Sequence, residues 1–200
     1  MNSEKTAILV LSKPLEGKKE FLDDYIKKTI KENKAVLFVL TDKTSAQIKK
    51  ELLKEKIFFK NLYFVDCYSQ QAGEECKNGE NIQYVSGPLA LNELSIAIAD
   101  FEREFIRKEL KHIIIFDSLS TLLLYSNSEA IARFLQILIA RIKKFGGEVF
   151  FTAEEGMHDL KAITAIEHLM DVIIEVKKEK GKVLFKTKGK DSSERWIEMR

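Results

Sequence analysis

One segment near the amino end of the chain carries part of a phosphate-binding pattern. Such loops read GxxxxGK followed by Ser or Thr, because the glycines let backbone N–H groups approach the phosphates and the hydroxyl binds Mg²⁺. Residues 12–19 read Ser-Lys-Pro-Leu-Glu-Gly-Lys-Lys, so Gly17 and Lys18 match, whereas Ser12 replaces the first glycine and Lys19 the hydroxyl residue. The segment either binds phosphate through Gly17, Lys18 and Lys19 or is a solvated strand-to-helix turn. The motif alone favours the turn.

Two further residues of this loop argue against phosphate binding. Pro14 lacks the backbone N–H that could line such a loop. Glu16 places a negative charge where a phosphate would lie. The whole chain contains only nine glycines, although phosphate loops are usually built from glycine.

Two aspartates directly follow apolar runs that predict strands. Asp117 could hold Mg²⁺, with Ser118 beside it as a further nucleotide contact. The alternative is that Asp117 caps the next turn. Asp42 could orient or deprotonate water for hydrolysis. However, Asp42 and Thr44 are also typical helix-capping residues, and this second interpretation is favoured.

The fifth predicted strand is followed by two carboxylates and a histidine. Glu154 and Glu155 either face a ligand cleft or stabilise the next helix through its dipole. His158 and His168 have no third ligand at metal-binding spacing, so they are interpreted as surface or core histidines.

The elements that must position these residues alternate along the chain. Apolar runs predict strands, and apolar residues repeating every three or four positions predict helices between them. The first five runs lack polar–apolar alternation, which predicts a parallel sheet covered by helices on both faces. The six runs are Thr6–Leu11, Ala35–Leu40, Leu62–Val65, Ile113–Phe116, Val149–Phe151 and Val172–Val176, and a short extra strand is predicted at Ile82–Val85.

After the sixth run the pattern changes to hairpins. The segment Lys178–Lys182 predicts a turn into a strand at Val183–Lys188. A second turn, Gly189–Ser193, leads into Trp196–Met199. We therefore expect an α/β fold in one domain, 1–200, with a doubly wound parallel sheet over about residues 5–177 and antiparallel C-terminal strands over 178–200.

Composition and charge exclude several classes of protein. The 33 basic and 31 acidic residues leave a formal net charge of +2, which argues against a polybasic nucleic-acid arm. No stretch approaches the ~20 uncharged apolar residues that span a membrane, and the first apolar run is too short for a signal peptide. Cys67 and Cys76 do not form a CxxC motif and are expected to be reduced, with a local disulfide left open. We expect a cytoplasmic protein without nucleic-acid or membrane partners, and the Lys, Glu and Ile content hints at a thermophile.

Over nearly its whole length the chain resembles the KaiC-like branch of the RecA superfamily, in its archaeal form. The best match is Ile113–Ser120, which is similar to the Walker B strand and the Asp-Ser-Leu-Ser that follows it. The order of elements continues through Ala130–Lys144, Glu148–Thr152 with Glu154, and Met170–Ile173. The segment Lys186–Gly189 resembles a Lys-x-Arg-Gly element, which in that family reaches the γ-phosphate bound by the adjacent subunit of a ring.

This resemblance implies a RecA-like P-loop core with ATP and Mg²⁺ as cofactors. Asp117 would hold the metal, and Lys186 and Lys188 would lie at the subunit boundary of a homo-oligomer. The sequence departs from the family in three places. Its phosphate loop is degenerate, Asp42-Lys43 replaces a pair of catalytic glutamates, and Lys188 replaces an arginine whose planar fork grips phosphate at two points.

Each departure affects a contact to the transition state. Losing one such contact commonly lowers turnover by about 10²–10³. We therefore expect a non-catalytic regulatory or scaffold protein, in signal transduction, that binds ATP weakly and acts through a protein partner. The alternative is a functional ATPase with a non-standard P-loop, in which Asp42 positions the water.

Overall fold

A computed structural model describes residues 6–57, 60–189 and 193–199. This part of the chain forms nine strands and six helices. The strands are β1 (Ala7–Ser12), β2 (Ala35–Leu40), β3 (Leu62–Asp66), β4 (Ile82–Tyr84), β5 (His112–Asp117), β6 (Glu148–Glu154), β7 (Val172–Glu179), β8 (Lys182–Gly189) and β9 (Ser193–Glu198). The helices are α1 (Lys18–Lys31), α2 (Ser45–Lys54), α3 (Leu91–Arg107), α4 (Leu119–Tyr125), α5 (Ser128–Phe145) and α6 (Leu160–Glu167).

All nine strands belong to one sheet, in the order β4-β3-β2-β5-β6-β1-β7-β8-β9. The strands from β4 to β7 pair in parallel, and β8 and β9 add antiparallel pairs at one edge. The predicted α/β architecture is thus confirmed, together with the short strand β4. In this order β6 separates β1 from β5, which places the loop after β1 and the end of β5 on either side of one strand.

The alternation of side chains along each strand builds one core on each face of the sheet. In β1, Leu9 and Leu11 pack towards α3 and α5, whereas Ile8 and Val10 pack towards α1 and α2. Both faces are apolar because every central strand is covered on both sides, which explains the continuous apolar runs in the sequence.

The hairpin between β7 and β8 follows its predicted turn. Lys180 and Gly181 both have positive φ, 51° and 79°, as a two-residue turn between twisted strands requires. The second predicted turn, at Gly189–Ser193, falls mostly on residues 190–192, outside the described residues. The strand that follows it is described as β9.

Helix α4 was not predicted. Helix α2 is capped at its N-terminus by Thr44, as the sequence predicted. Thr44 accepts a hydrogen bond from the backbone N–H of Gln47, whose side chain accepts one from the N–H of Thr44, so the pair forms a capping box. The capping prediction is confirmed for Thr44. None of the described helices is long and apolar enough to cross a membrane.

Candidate nucleotide site

The candidate residues meet at the carboxyl edge of the sheet. Parallel strands all end at this edge, so the loops after β1, β2, β5 and β6 lie next to one another. Lys18 and Asp117 lie on either side of β6, and Asp42 follows β2, the neighbour of β5. The structure therefore brings together three of the residues that sequence reasoning selected from separate loops.

Gly17 is required by the fold independently of any phosphate. Its φ is +91°, in the left-handed region, where it begins α1. A Cβ at this position would lie 3.2 Å from Val183 Cγ1 of β8 and 3.4 Å from Val176 Cγ1 of β7. The absence of a side chain thus allows the loop to pack against the C-terminal hairpin.

Lys18 and Asp117 form a direct ion pair. The Lys18 Nζ lies 3.0 Å from Asp117 Oδ1, and the Thr152 hydroxyl donates to the same oxygen at 2.6 Å. Burial alone would disfavour both charges, but their mutual attraction outweighs it. The pKa of Asp117 is therefore lowered and the pKa of Lys18 is raised.

Asp42 carries a second negative charge next to this pair. Its side chain reaches solvent, but surrounding protein desolvates the carboxylate, and the charge of Asp117 repels it. These effects outweigh attraction by Lys18 and Lys43, so the pKa of Asp42 is raised. Asp42 makes no hydrogen bond or ion pair within the part of the chain that the structure describes, so unlike Thr44 it does not cap α2.

Lys19 points away from the loop after β1. Its ammonium lies 2.7 Å from Asp23 Oδ2 and 3.3 Å from Glu55 Oε1, so it links α1 to the end of α2. In a phosphate loop, a hydroxyl at this position would bind Mg²⁺. Here the position offers a cation that is already engaged by two carboxylates.

The remaining residues near the edge have mixed roles. Ser118 follows Asp117 through a cis peptide bond, and its backbone N–H and carbonyl both bond to the Thr41 hydroxyl, at 2.8 and 2.9 Å. Ser12 Oγ is buried without a hydrogen-bond partner among the described residues. It lies on the same face of the sheet as Ile8 and Val10, which is the face that α1 covers.

As they are arranged in the structure, these side chains do not present open magnesium and phosphate contacts. Asp117 Oδ1 already accepts two hydrogen bonds, and residue 19 supplies no oxygen ligand. Within the described ranges, no group of three or more His, Cys, Asp and Glu side chains could hold a metal ion. Binding Mg²⁺ directly at Asp117 Oδ1 would require Lys18 to move away.

Sequence reasoning missed a contact between Ser120 and His158. Ser120 Oγ accepts a hydrogen bond from the Glu154 backbone N–H at 2.8 Å and lies 2.9 Å from His158 Nε2. Burial lowers the pKa of His158 despite attraction by Glu154, which favours the neutral imidazole, and a neutral imidazole with Nε2 unprotonated can accept a hydrogen bond from the Ser120 hydroxyl. The contact joins α4 to the segment after β6. Because 38 residues separate the two side chains, no local spacing signal could have revealed it.

The two lysines predicted at a subunit boundary pair within their own chain. Lys186 and Lys188 of β8 both contact the Glu175 carboxylate of β7. Lys186 also lies over the ring of Trp196, with its Nζ 4.9 Å from the ring centroid. Burial opposes the charge of Glu175, but the two lysines outweigh this effect and lower its pKa.

The two cysteines, Cys67 and Cys76, are both free thiols.

Comparison with known families gives one match that covers most of the chain. The sequence matches the family of unknown function DUF7504 over residues 6–176. The chain belongs to this family. The match extends from β1 to β7, so the DUF7504 region of the chain includes every strand of the parallel part of the sheet and all loops of the candidate site. No curated protein matches the sequence significantly.

Solved structures show that this DUF7504 chain has a KaiC-like fold. It is similar to the uncharacterized protein PH0321 from Pyrococcus horikoshii, solved in complex with an unknown peptide, with a TM-score of 0.68 and 13% identity over 98% of this chain and 89% of that one. It is also similar to the KaiC-like protein PH0186 from Pyrococcus horikoshii OT3, with a TM-score of 0.60 and 14% identity over 96% and 83% of the two chains.

Proposed function

We propose that this protein is a KaiC-like regulatory or scaffold protein that does not hydrolyse ATP and binds it weakly. The observation that carries the proposal is the ion pair between Lys18 and Asp117, whose charged atoms lie 3.0 Å apart. In a working site the lysine would contact phosphate and the aspartate would serve the metal. Here each neutralises the other, so ATP must break the pair before either can bind it.

The other positions also argue against catalysis. Lys19, which stands at the position of the magnesium hydroxyl, is held by Asp23 and Glu55. Asp42 is the remaining candidate to activate water, and its raised pKa makes it a stronger base than an ordinary aspartate. A base without a correctly held metal and phosphate does not lower the barrier to hydrolysis appreciably.

A regulatory protein must act through a partner, and we propose that this partner is a protein that binds to the surface of the chain. PH0321, which shares the fold, was solved with a peptide bound. The formal net charge of +2 gives no support to a nucleic-acid partner. We therefore propose protein contacts, with another copy of this chain or a different protein, as the means by which the protein signals.

The second candidate is a functional ATPase with a non-standard P-loop. It is favoured by the convergence of Lys18, Asp42 and Asp117 at one edge of the sheet, close enough to shift one another's pKa. In this scheme Lys18 would leave Asp117 for the phosphates, and ATP and Mg²⁺ would both be cofactors. Asp117→Asn would then abolish activity.

Phosphate release distinguishes the two functions. We expect the wild-type chain with Mg-ATP to release phosphate no faster than ~0.01 per second, and the Asp117→Asn variant to give the same background. Calorimetric titration with Mg-ATP, in parallel with Lys18→Ala, measures whether the ion pair limits binding. Sustained turnover above that rate, abolished by Asp117→Asn, would establish the ATPase instead.

A further inference from the structure

A cleft of about 690 Å³ opens at the carboxyl edge of the sheet, between the ends of β2 and β3, the start of α3, and α4. Its apolar walls come from Pro88, Leu89 and Ala90 before α3, and from Leu124 and Tyr125 of α4. Leu124 and Tyr125 are 51% and 70% exposed. A concave cleft of this volume, with apolar walls and a few polar groups, is a candidate binding site.

The cleft also presents one negative charge. Asp42 is the only charged residue among the described residues that line it. Its carboxylate forms no hydrogen bond or ion pair with the described chain. A complementary occupant therefore combines an apolar side chain with a nearby cation.

The loop after β1 offers that combination. Leu15 is 101% exposed and has a φ of 63°, a conformation that is unfavourable for a bulky residue. A turn closed by the Glu16 N–H, which donates to the Lys13 carbonyl at 3.2 Å, holds the tip of the loop. The Lys13 ammonium forms no hydrogen bond or ion pair with the described part of the chain. Leu15 thus projects as an apolar knob beside an unpaired cation.

We propose that two copies of this chain form a symmetric dimer in which Leu15 of each copy enters the apolar cleft of the other and Lys13 pairs with the partner's Asp42. The geometry favours a two-fold arrangement because the knob and the cleft lie at the same edge of the sheet. When two such edges face each other, a single two-fold rotation places Leu15 of each copy in the cleft of the other. A head-to-tail contact would fill one cleft and leave a knob and a cleft unused at the ends.

The dimer shares Asp42 with the ATPase alternative, which uses this residue to position water, but neither proposed function assigns a nucleotide contact to the side chains of Leu15 and Lys13. It brings the two degenerate loops face to face and leaves the helices on both faces of the sheet open to other proteins. Leu15→Asp changes no side chain that the ATPase alternative uses, so with this variant a failed ATPase assay and a failed dimer are separate results.

Sedimentation velocity over a concentration series of the full chain tests the proposal. We expect the wild type to dimerise and Leu15→Asp to raise the dimer Kd about 100-fold or more, because each symmetric dimer loses two buried leucine contacts. Leu53→Asp is the matched control, since Leu53 is an exposed leucine (53%) on α2, outside the cleft and the loop. It should leave the Kd unchanged.

A charge exchange tests the contact between Lys13 and Asp42. Lys13→Glu and Asp42→Lys should each weaken the dimer, and combining them in one chain should restore it, because both contacts then regain opposite charges. The proposal is overturned if the wild type stays monomeric, if Leu15→Asp dimerises like the wild type, or if the exchange does not restore the dimer. A monomer that carries a foreign peptide in its cleft would assign the site to another protein.

Discussion

Lys18 Nζ and Asp117 Oδ1 lie 3.0 Å apart across the end of β6, joining the start of α1 to the end of β5. The side chains are only 21% and 9% exposed, so water screens their interaction poorly. Thr152 of β6 donates to the same oxygen and ties the strand between them into the pair. The pair thus stabilises the edge of the sheet at the place where a nucleotide would need both groups.

The first prediction concerns the stability that this pair contributes. Lys18→Ala should lower the free energy of unfolding by about 1–3 kcal/mol, because it leaves the buried Asp117 charge without its counter-ion. Lys28→Ala is the matched control on the same helix. Its partner, Asp24, lies 2.7 Å away, but Lys28 is 63% exposed, so its removal should cost less than about 0.5 kcal/mol. Urea denaturation measures both, and equal effects would show that the Lys18 pair is not special.

The second prediction concerns the stability of the protein at acidic pH, to which Asp66 contributes. Burial would raise the pKa of Asp66, but N–H groups of Ser69, Ser45 and Tyr68 and the Ser69 hydroxyl donate to it, so its pKa lies below the usual 3.8. A carboxylate with a lowered folded-state pKa contributes stability that is complete above its unfolded pKa and disappears as the pH falls through the folded value.

Unfolding free energy should therefore decrease as the pH falls below about 4. In Asp66→Asn the decrease should be smaller, because the amide does not titrate, whereas stability at pH 7 should be lower by about 1–3 kcal/mol because the amide accepts fewer hydrogen bonds. Urea denaturation between acid and neutral pH measures both effects. Parallel pH curves for the two proteins would contradict the assignment to Asp66.

The sequence predicted the elements of the fold well because apolar periodicity reports burial directly. The run Ile113–Phe116 predicts β5, and the spacing of apolar residues every three or four positions, which Leu94, Ile98 and Phe101 show, predicts α3, since both patterns persist over a whole element. Helix α4, with seven residues, is too short to show a period of 3.6 residues. No local sequence pattern therefore indicated that a helix begins shortly after Asp117.

Side-chain direction was harder to predict than position. The sequence predicted Lys19 as a possible phosphate contact in the loop after β1, whereas in the structure it lies in the first turn of α1, where Asp23 and Glu55 hold its ammonium away from the loop. Glu55 is 36 residues from Lys19 in sequence. Ion pairs of this kind depend on how two helices pack against each other. The pattern of residue types along one helix does not predict that packing.

The third prediction concerns a buried ion pair between α3 and α5. Glu102 is fully buried and accepts a hydrogen bond from Arg141 Nε at 2.8 Å. Burial raises the pKa of Glu102 despite the attraction of Arg141. Arg141→Met should therefore destabilise the protein by about 3 kcal/mol at neutral pH, because it leaves a buried carboxylate unpaired.

The penalty should shrink as the pH is lowered towards 5. Without the arginine the pKa of Glu102 rises further, so its carboxyl group is more fully protonated in the folded state of the variant at pH 5. The double variant Arg141→Met with Glu102→Leu removes both charges and should recover most of the lost stability. Denaturant melts at the two pH values measure this, and a penalty that does not change with pH would contradict the explanation.

The fourth prediction separates two reasons why residue 17 is a glycine: its left-handed backbone conformation and the lack of space for a side chain. Gly17→Ala should cost about 2–3 kcal/mol, because it combines the strain of a left-handed backbone with crowding of the Cβ against Val183, 3.2 Å away. Gly73→Ala is the matched control. Gly73 also has a positive φ, +77°, but a Cβ there would meet nothing within 4 Å, so its cost should be about 1 kcal/mol of backbone strain.

The difference between these two variants measures the packing of the first loop against the C-terminal hairpin. Adding Val183→Ala to Gly17→Ala makes room for the new methyl group, so the second change should cost less in that background than in the wild type. A double-mutant cycle by urea denaturation gives the coupling. If the two changes were simply additive, β8 would not constrain Gly17, and the glycine would be explained by its backbone conformation alone.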